Sequence, residues 1–61
     1  MSYDSTSYFH QRLTELEAKK NDLLAVSEAD PELATLAREE IALIDQEMVS
    51  VQETIQSIET E

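Results

Sequence analysis

A single proline in a chain that has no glycine is the feature that most narrows what this sequence can fold into. Antiparallel sheets need Gly, Pro, Asn or Asp turns at short intervals, so their scarcity argues against an all-β fold. Ala, Leu, Glu, Gln, Lys and Arg dominate instead, and all are good helix formers. The proline shows where the helical pattern divides. In Asp30-Pro31-Glu32, Asp30 is a favoured N-cap and Pro31 occupies a first helical position, where a missing N–H costs nothing. Glu32 then complements the positive end of the helix dipole. Proline also steers Asp30 itself away from helical geometry.

Downstream, Ala34, Ala37, Ile41, Ile44, Met48, Val51, Ile55 and Ile58 alternate at spacings of three and four without a miss. That is the a/d stripe of a coiled-coil seam. It predicts a second helix over about 31–60, roughly 45 Å long at 1.5 Å per residue. Upstream, Phe9, Leu13, Leu16 and Leu23 recur at helical spacing, with Lys20 where another apolar residue would fit. The polar opening offers Asp4, Ser5 and Ser7 as N-caps, which predicts a first helix over about 5–27 and a turn over 27–30. Two long helices with so short a connection fold back on each other. The expected fold is therefore all-α, one antiparallel two-helix coiled-coil hairpin spanning residues 1–61.

Pairing the helices outward from a turn near Ala29 sets Leu16 near Ile41, Leu13 near Ile44 and Phe9 near Met48. Leu23, Leu24 and Val26 then bring bulk against the small Ala34 and Ala37. This register exhausts the first helix before Ile55 and Ile58, which need cover from Tyr3 and Tyr8 or from another molecule. The expectation that follows is a homodimer in which two hairpins complete a four-helix bundle.

Size and charge limit the functions open to the chain. At 61 residues a chain buries only about 60% of the surface its unfolded form exposes, and without cysteine it has neither disulfide nor thiolate metal site to compensate. Four basic residues against fourteen acidic ones leave a net charge of −10. Phosphate binding depends on Lys and Arg, so direct DNA or RNA binding is not expected, nor is attraction to anionic membranes. The longest apolar run, Leu23 to Val26, is four residues, far short of the roughly 20 a membrane span needs. The opening Met1-Ser2-Tyr3-Asp4 has no positive charge or apolar stretch of a secretory signal. A cytoplasmic location is the expectation.

The residues that chemistry would need are sparse. His10 is the one histidine, read as a solvated or helix-packing side chain, and no spacing supplies a carboxylate–histidine metal set. Glu39, Glu40, Asp45 and Glu47 flank the seam and read as a solvated face; the aspartate-rich calcium loop is absent. No phosphate cradle can be built without glycine. Arg12, Lys19, Lys20 and Arg38 are too few to hold an anionic substrate between subunits. Neither an enzyme nor a cofactor is expected. Lys20 has two readings, a snorkelling or register-setting residue in the seam or a contact to a partner's carboxylate. Glu15 and Lys19 are placed for an i,i+4 pair. The residues expected to carry function are those of the seam, Phe9, Leu13, Leu16, Leu23, Ile41, Ile44, Met48, Val51, Ile55 and Ile58, with Asp30 and Pro31 at the cap and turn.

The stretch Asp30-Pro31-Glu32-Leu33-Ala34-Thr35-Leu36-Ala37-Arg38-Glu39-Glu40-Ile41 resembles a segment of class I peptide chain release factors, Asp-Pro-Glu-(Met/Leu)-x-x-(Met/Leu)-Ala-x-x-Glu-(Leu/Ile). Arg12 to Val26 resembles the amphipathic helix leading into it, and Asp45 to Ser57 its Glu/Gln-rich continuation. The likeness covers roughly Tyr8 to Ile58. It implies the N-terminal helical domain of a translation termination factor, which lies toward the stalk base of the large ribosomal subunit and is associated with the recycling GTPase. The family's Gly-Gly-Gln tripeptide is missing from this glycine-free chain, as are the Pro-x-Thr and Ser-Pro-Phe codon-reading tripeptides, so no catalytic or codon-reading residue carries over. The alternative is a free-standing acidic hairpin that self-associates or binds a partner helix, as an adaptor, chaperone-like protein or inhibitor.

Overall fold

The computed structural model describes residues 5–60, which form two α-helices, α1 (Ser5–Ala29) and α2 (Ala34–Glu59), with no strand among the described residues. The helices run antiparallel: Arg12 on α1 reaches Glu47 on α2, whereas Lys20, further along α1, reaches back to Asp45. The fold is an all-α helical hairpin. Of the expected α1 caps, Asp4 lies outside the described residues and Ser7 falls inside the helix.

Helix α1 continues to Ala29 rather than stopping at Ser27. Ser27 does not break it, because its Oγ donates back to the Leu24 carbonyl at 2.8 Å. The last α-type bond runs from the Asp30 N–H to the Val26 carbonyl at 2.9 Å. The next donor in line would be Pro31, which has no N–H, and the ladder ends there.

Residues 31–33 make a tight turn instead of the first turn of α2. The Leu33 N–H donates to the Asp30 carbonyl at 3.0 Å and the Ala34 N–H to the Pro31 carbonyl at 3.3 Å, both reaching back three residues. Asp30 caps this turn, its Oδ1 accepting the Glu32 N–H at 3.0 Å. The first α-type bond of α2 is Ala37 N–H to Leu33 carbonyl, at 2.9 Å. No described residue has positive φ, which is how a glycine-free chain can reverse direction.

Because the turn centres on Pro31 and Glu32 rather than Ala29, α1 faces residues further along α2 than expected. The groove lined by His10, Leu13, Gln52, Ile55 and Gln56 puts the start of α1 level with the end of α2. Leu13 therefore shares a groove with Gln52 and Ile55 rather than meeting Ile44, and Leu16 shares another with Ile44 and Glu47 rather than meeting Ile41. Ile55 is buried at 6% exposure and Ile58 is half-buried, so the expected overhang is absent and Ile55 is covered within its own hairpin. Tyr3 lies outside the described residues; Tyr8 is exposed and sets its ring edge-on to Phe9 at 5.3 Å.

The core is a single seam. Leu16, Ala34, Ala37, Ile44 and Ile55 are buried. The half-buried residues are Thr6, Phe9, Leu13, Lys20, Leu23, Ser27, Asp30, Ile41, Met48, Val51 and Ile58. All of them fall on the alternating stripe of α1, continued to Asp30, or of α2, and every other side chain from Thr6 to Thr60 is exposed. The chain measures 46 × 21 × 10 Å, one helix thick. Its radius of gyration of 14.5 Å exceeds the roughly 10–11 Å of a compact chain this long.

Candidate functional site

The seam brings together all ten residues singled out from the sequence: Leu16, Ile44 and Ile55 buried, Phe9, Leu13, Leu23, Ile41, Met48, Val51 and Ile58 half-buried. Small meets large next to the turn, as expected, since Ala34 and Ala37 are buried there. Of the three bulky α1 residues near that end, however, only Leu23 points inward; Leu24 and Val26 are exposed. They stand beside the stripe, and with one facing helix there is nothing over them.

The two edges of the seam differ. On one edge Arg12 donates to Glu47 at 3.0 Å and lies 3.7 Å from Glu15. Glu15 thus pairs with Arg12 and not with Lys19. The forked guanidinium can serve two carboxylates at once. Arg12, Glu15, Leu16 and Lys19 of α1 and Glu40, Leu43, Ile44 and Glu47 of α2 line an open groove along this edge. On the other edge Lys20 leaves the stripe and places its Nζ 2.7 Å from Asp45 Oδ1. Its carboxylate partner is on the same chain, and the stem snorkels across the seam. These are exposed pairs, each contributing about 0.2–1 kcal/mol; they set register and edge character more than stability. His10 is exposed and borders the shallow groove beside Leu13 and Ile55.

Other large apolar residues face outward. Leu33, Leu36 and Leu43 are 43%, 60% and 58% exposed; Leu36 and Leu43 share one side of α2 at a spacing of seven residues, and Leu33, at the N-cap of α2, precedes them by three. Reading the seam from the sequence passed over them, although the seven-residue step from Leu36 to Leu43 was a usable signal. Glu32, Glu39 and Glu40 stand around this row and hold no ion pair. Among the described residues no group of three or more His, Asp or Glu could hold a metal ion. No buried side-chain polar atom there is left unsatisfied, and no helix is long and apolar enough to cross a membrane.

Chemically, then, the described surface offers mainly apolar side chains and carboxylates on a two-helix frame. Comparison with protein-family models, with curated proteins and with solved structures yields no match.

Proposed function

We propose that this chain is a non-catalytic protein-docking hairpin that acts in translation termination, as the N-terminal helical domain of a class I peptide chain release factor, docking on the ribosome or on a termination partner in the cytoplasm. The stretch from Asp30 to Ile41 carries the reading. Within it, Asp30 caps the turn, Pro31 ends the α1 ladder, and Ala37 and Ile41 enter the seam. Leu33, Leu36 and Glu40 belong to the same pattern yet remain exposed; the hairpin does not use them, which supports a role in recognition. Catalysis, codon reading and direct RNA contact belong to other parts of such a factor, in keeping with the net charge of −10 here.

The slab shape favours a second reading, a free-standing hairpin that associates with itself or with a partner helix. A chain only 10 Å thick lacks the second packed layer that domains ordinarily have.

Two measurements separate the readings. A reading frame that runs on past Glu61 into a Gly-Gly-Gln segment supports the first, and a stop codon there supports the second. In pelleting assays the 61-residue chain should sediment with intact ribosomes and not with protein-free ribosomal RNA. Failure to sediment with ribosomes counts against docking, and binding to the bare RNA counts against a protein partner.

A further inference from the structure

We infer that the outward row of Leu33 at the end of the turn and Leu36 and Leu43 on α2 is a docking surface for a basic amphipathic helix of a partner protein; this rests on the docking reading above and specifies its surface and its partner's chemistry. Single exposed apolar residues are ordinary, and Leu24 and Val49, 41% and 52% exposed, need no further account. The row differs because its members are aligned. Leu33 and Leu36 are neighbours one turn apart, and Leu43 follows two turns on, about 10.5 Å along the axis. A partner helix with apolar residues at i, i+3 or i+4, and i+7 presents the same spacing.

Charge selects the occupant. Glu32, Glu39 and Glu40 stand around the row and hold no ion pair, and Glu47 beyond Leu43 is paired with Arg12. Lys19 and Arg12 face this side from α1, but Arg12 is already engaged with Glu15 and Glu47. The rim is acidic on balance. A second copy would bring its own −10 charge against the same carboxylates, and a nucleic acid would bring phosphates, whereas a Lys- and Arg-flanked helix supplies the complement. The seam offers less apolar surface to a partner, because the facing helix buries Leu16, Ile44 and Ile55 and half-buries its other apolar side chains.

The test uses the whole chain and a fluorescent probe peptide of Leu and Lys at this spacing, roughly 18 residues and long enough to hold a helix, with a twin carrying Glu for Lys. The wild type should bind the Lys probe and not the Glu twin. Leu36→Ser with Leu43→Ser should weaken binding by about tenfold or more. Glu39→Gln with Glu40→Gln should weaken it by about threefold, an effect that disappears at high salt. Leu24→Ser with Val49→Ser should leave it unchanged. All these positions are exposed, and circular dichroism checks that each variant folds. No binding, equal loss in the two Leu/Val pairs, or equal binding of both peptides overturns the proposal. So does sedimentation showing a wild-type dimer that Leu36→Ser and Leu43→Ser dissociate, since a second copy would then cover the row. Ribosome pelleting unaffected by those two substitutions overturns this surface while leaving the docking reading standing. Probe binding without ribosome pelleting does the reverse.

Discussion

The two helices fill their seam positions differently. Along α2 every stripe residue from Ala34 to Ile58 is apolar, whereas α1 interrupts its stripe with Thr6, Lys20 and Ser27 before ending it at Asp30. An unbroken stripe can slide by a heptad at little cost, because each apolar position resembles the next. The interrupted one cannot slide as freely. Lys20 finds Asp45 at 2.7 Å only when the helices are level as they are here, and Asp30 caps only where Pro31 ends the ladder. In this hairpin α2 supplies most of the apolar burial and α1, with the turn, supplies most of the register.

The contrast can be broken most severely in α2. Replacing Ile44, 5% exposed, with Ala should cost about 2–5 kcal/mol. Against the 5–15 kcal/mol typical of whole domains, that is enough to unfold much of a one-seam hairpin at room temperature. Replacing the half-buried Leu23 of α1 should cost about half as much. Thermal melts followed by circular dichroism compare the two, and equal losses would mean that burial is shared evenly between the helices.

A second change sharpens the contrast by making α1 resemble α2. Lys20→Leu restores an apolar stripe and should raise stability by about 1 kcal/mol, since half-burying a Leu outweighs the loss of an exposed pair. The gain should come with looser register, visible as cross-linking of more than one pair of levels between cysteines introduced on the two helices. A Lys20→Leu protein that is less stable and keeps one register would show that the ion pair does more than align the helices.

The smallest effect belongs to the exposed edge. Glu47→Gln removes the bridge to Arg12 and should cost about 0.2–1 kcal/mol at low salt, with no difference from wild type at about 1 M salt. A cost that persists in high salt would point to packing of the Glu47 stem instead.

The sequence made the hairpin legible because two signals agreed, the stripe from Ala34 to Ile58 and the break at Asp30-Pro31. It did not make the register legible. Ser27, Glu28 and Ala29 look as much like a turn as like a helix end, and only the missing N–H of Pro31 fixes where α1 stops. Placing the reversal a few residues early shifts the register and turns a covered Ile55 into an apparent overhang. The polar members of the α1 stripe, Thr6 and Ser27, were hidden for a related reason: apolar periodicity cannot mark a position that is not apolar. The outward leucines were passed over because a spacing of seven marks a common face without saying whether that face lies on the seam or beside it until the facing helix is in place.

A protein one helix thick separates two kinds of information that compact domains mix. Folding here draws on the seam and the turn, and the exposed positions that make up the rest of the described chain can change with little effect on stability. What is written at those positions is thus largely free of folding constraints. An outward leucine or an unpaired glutamate in a compact domain has many explanations in packing, but here it has few. Selection acting on the broad faces of this hairpin would act mainly through what those faces touch.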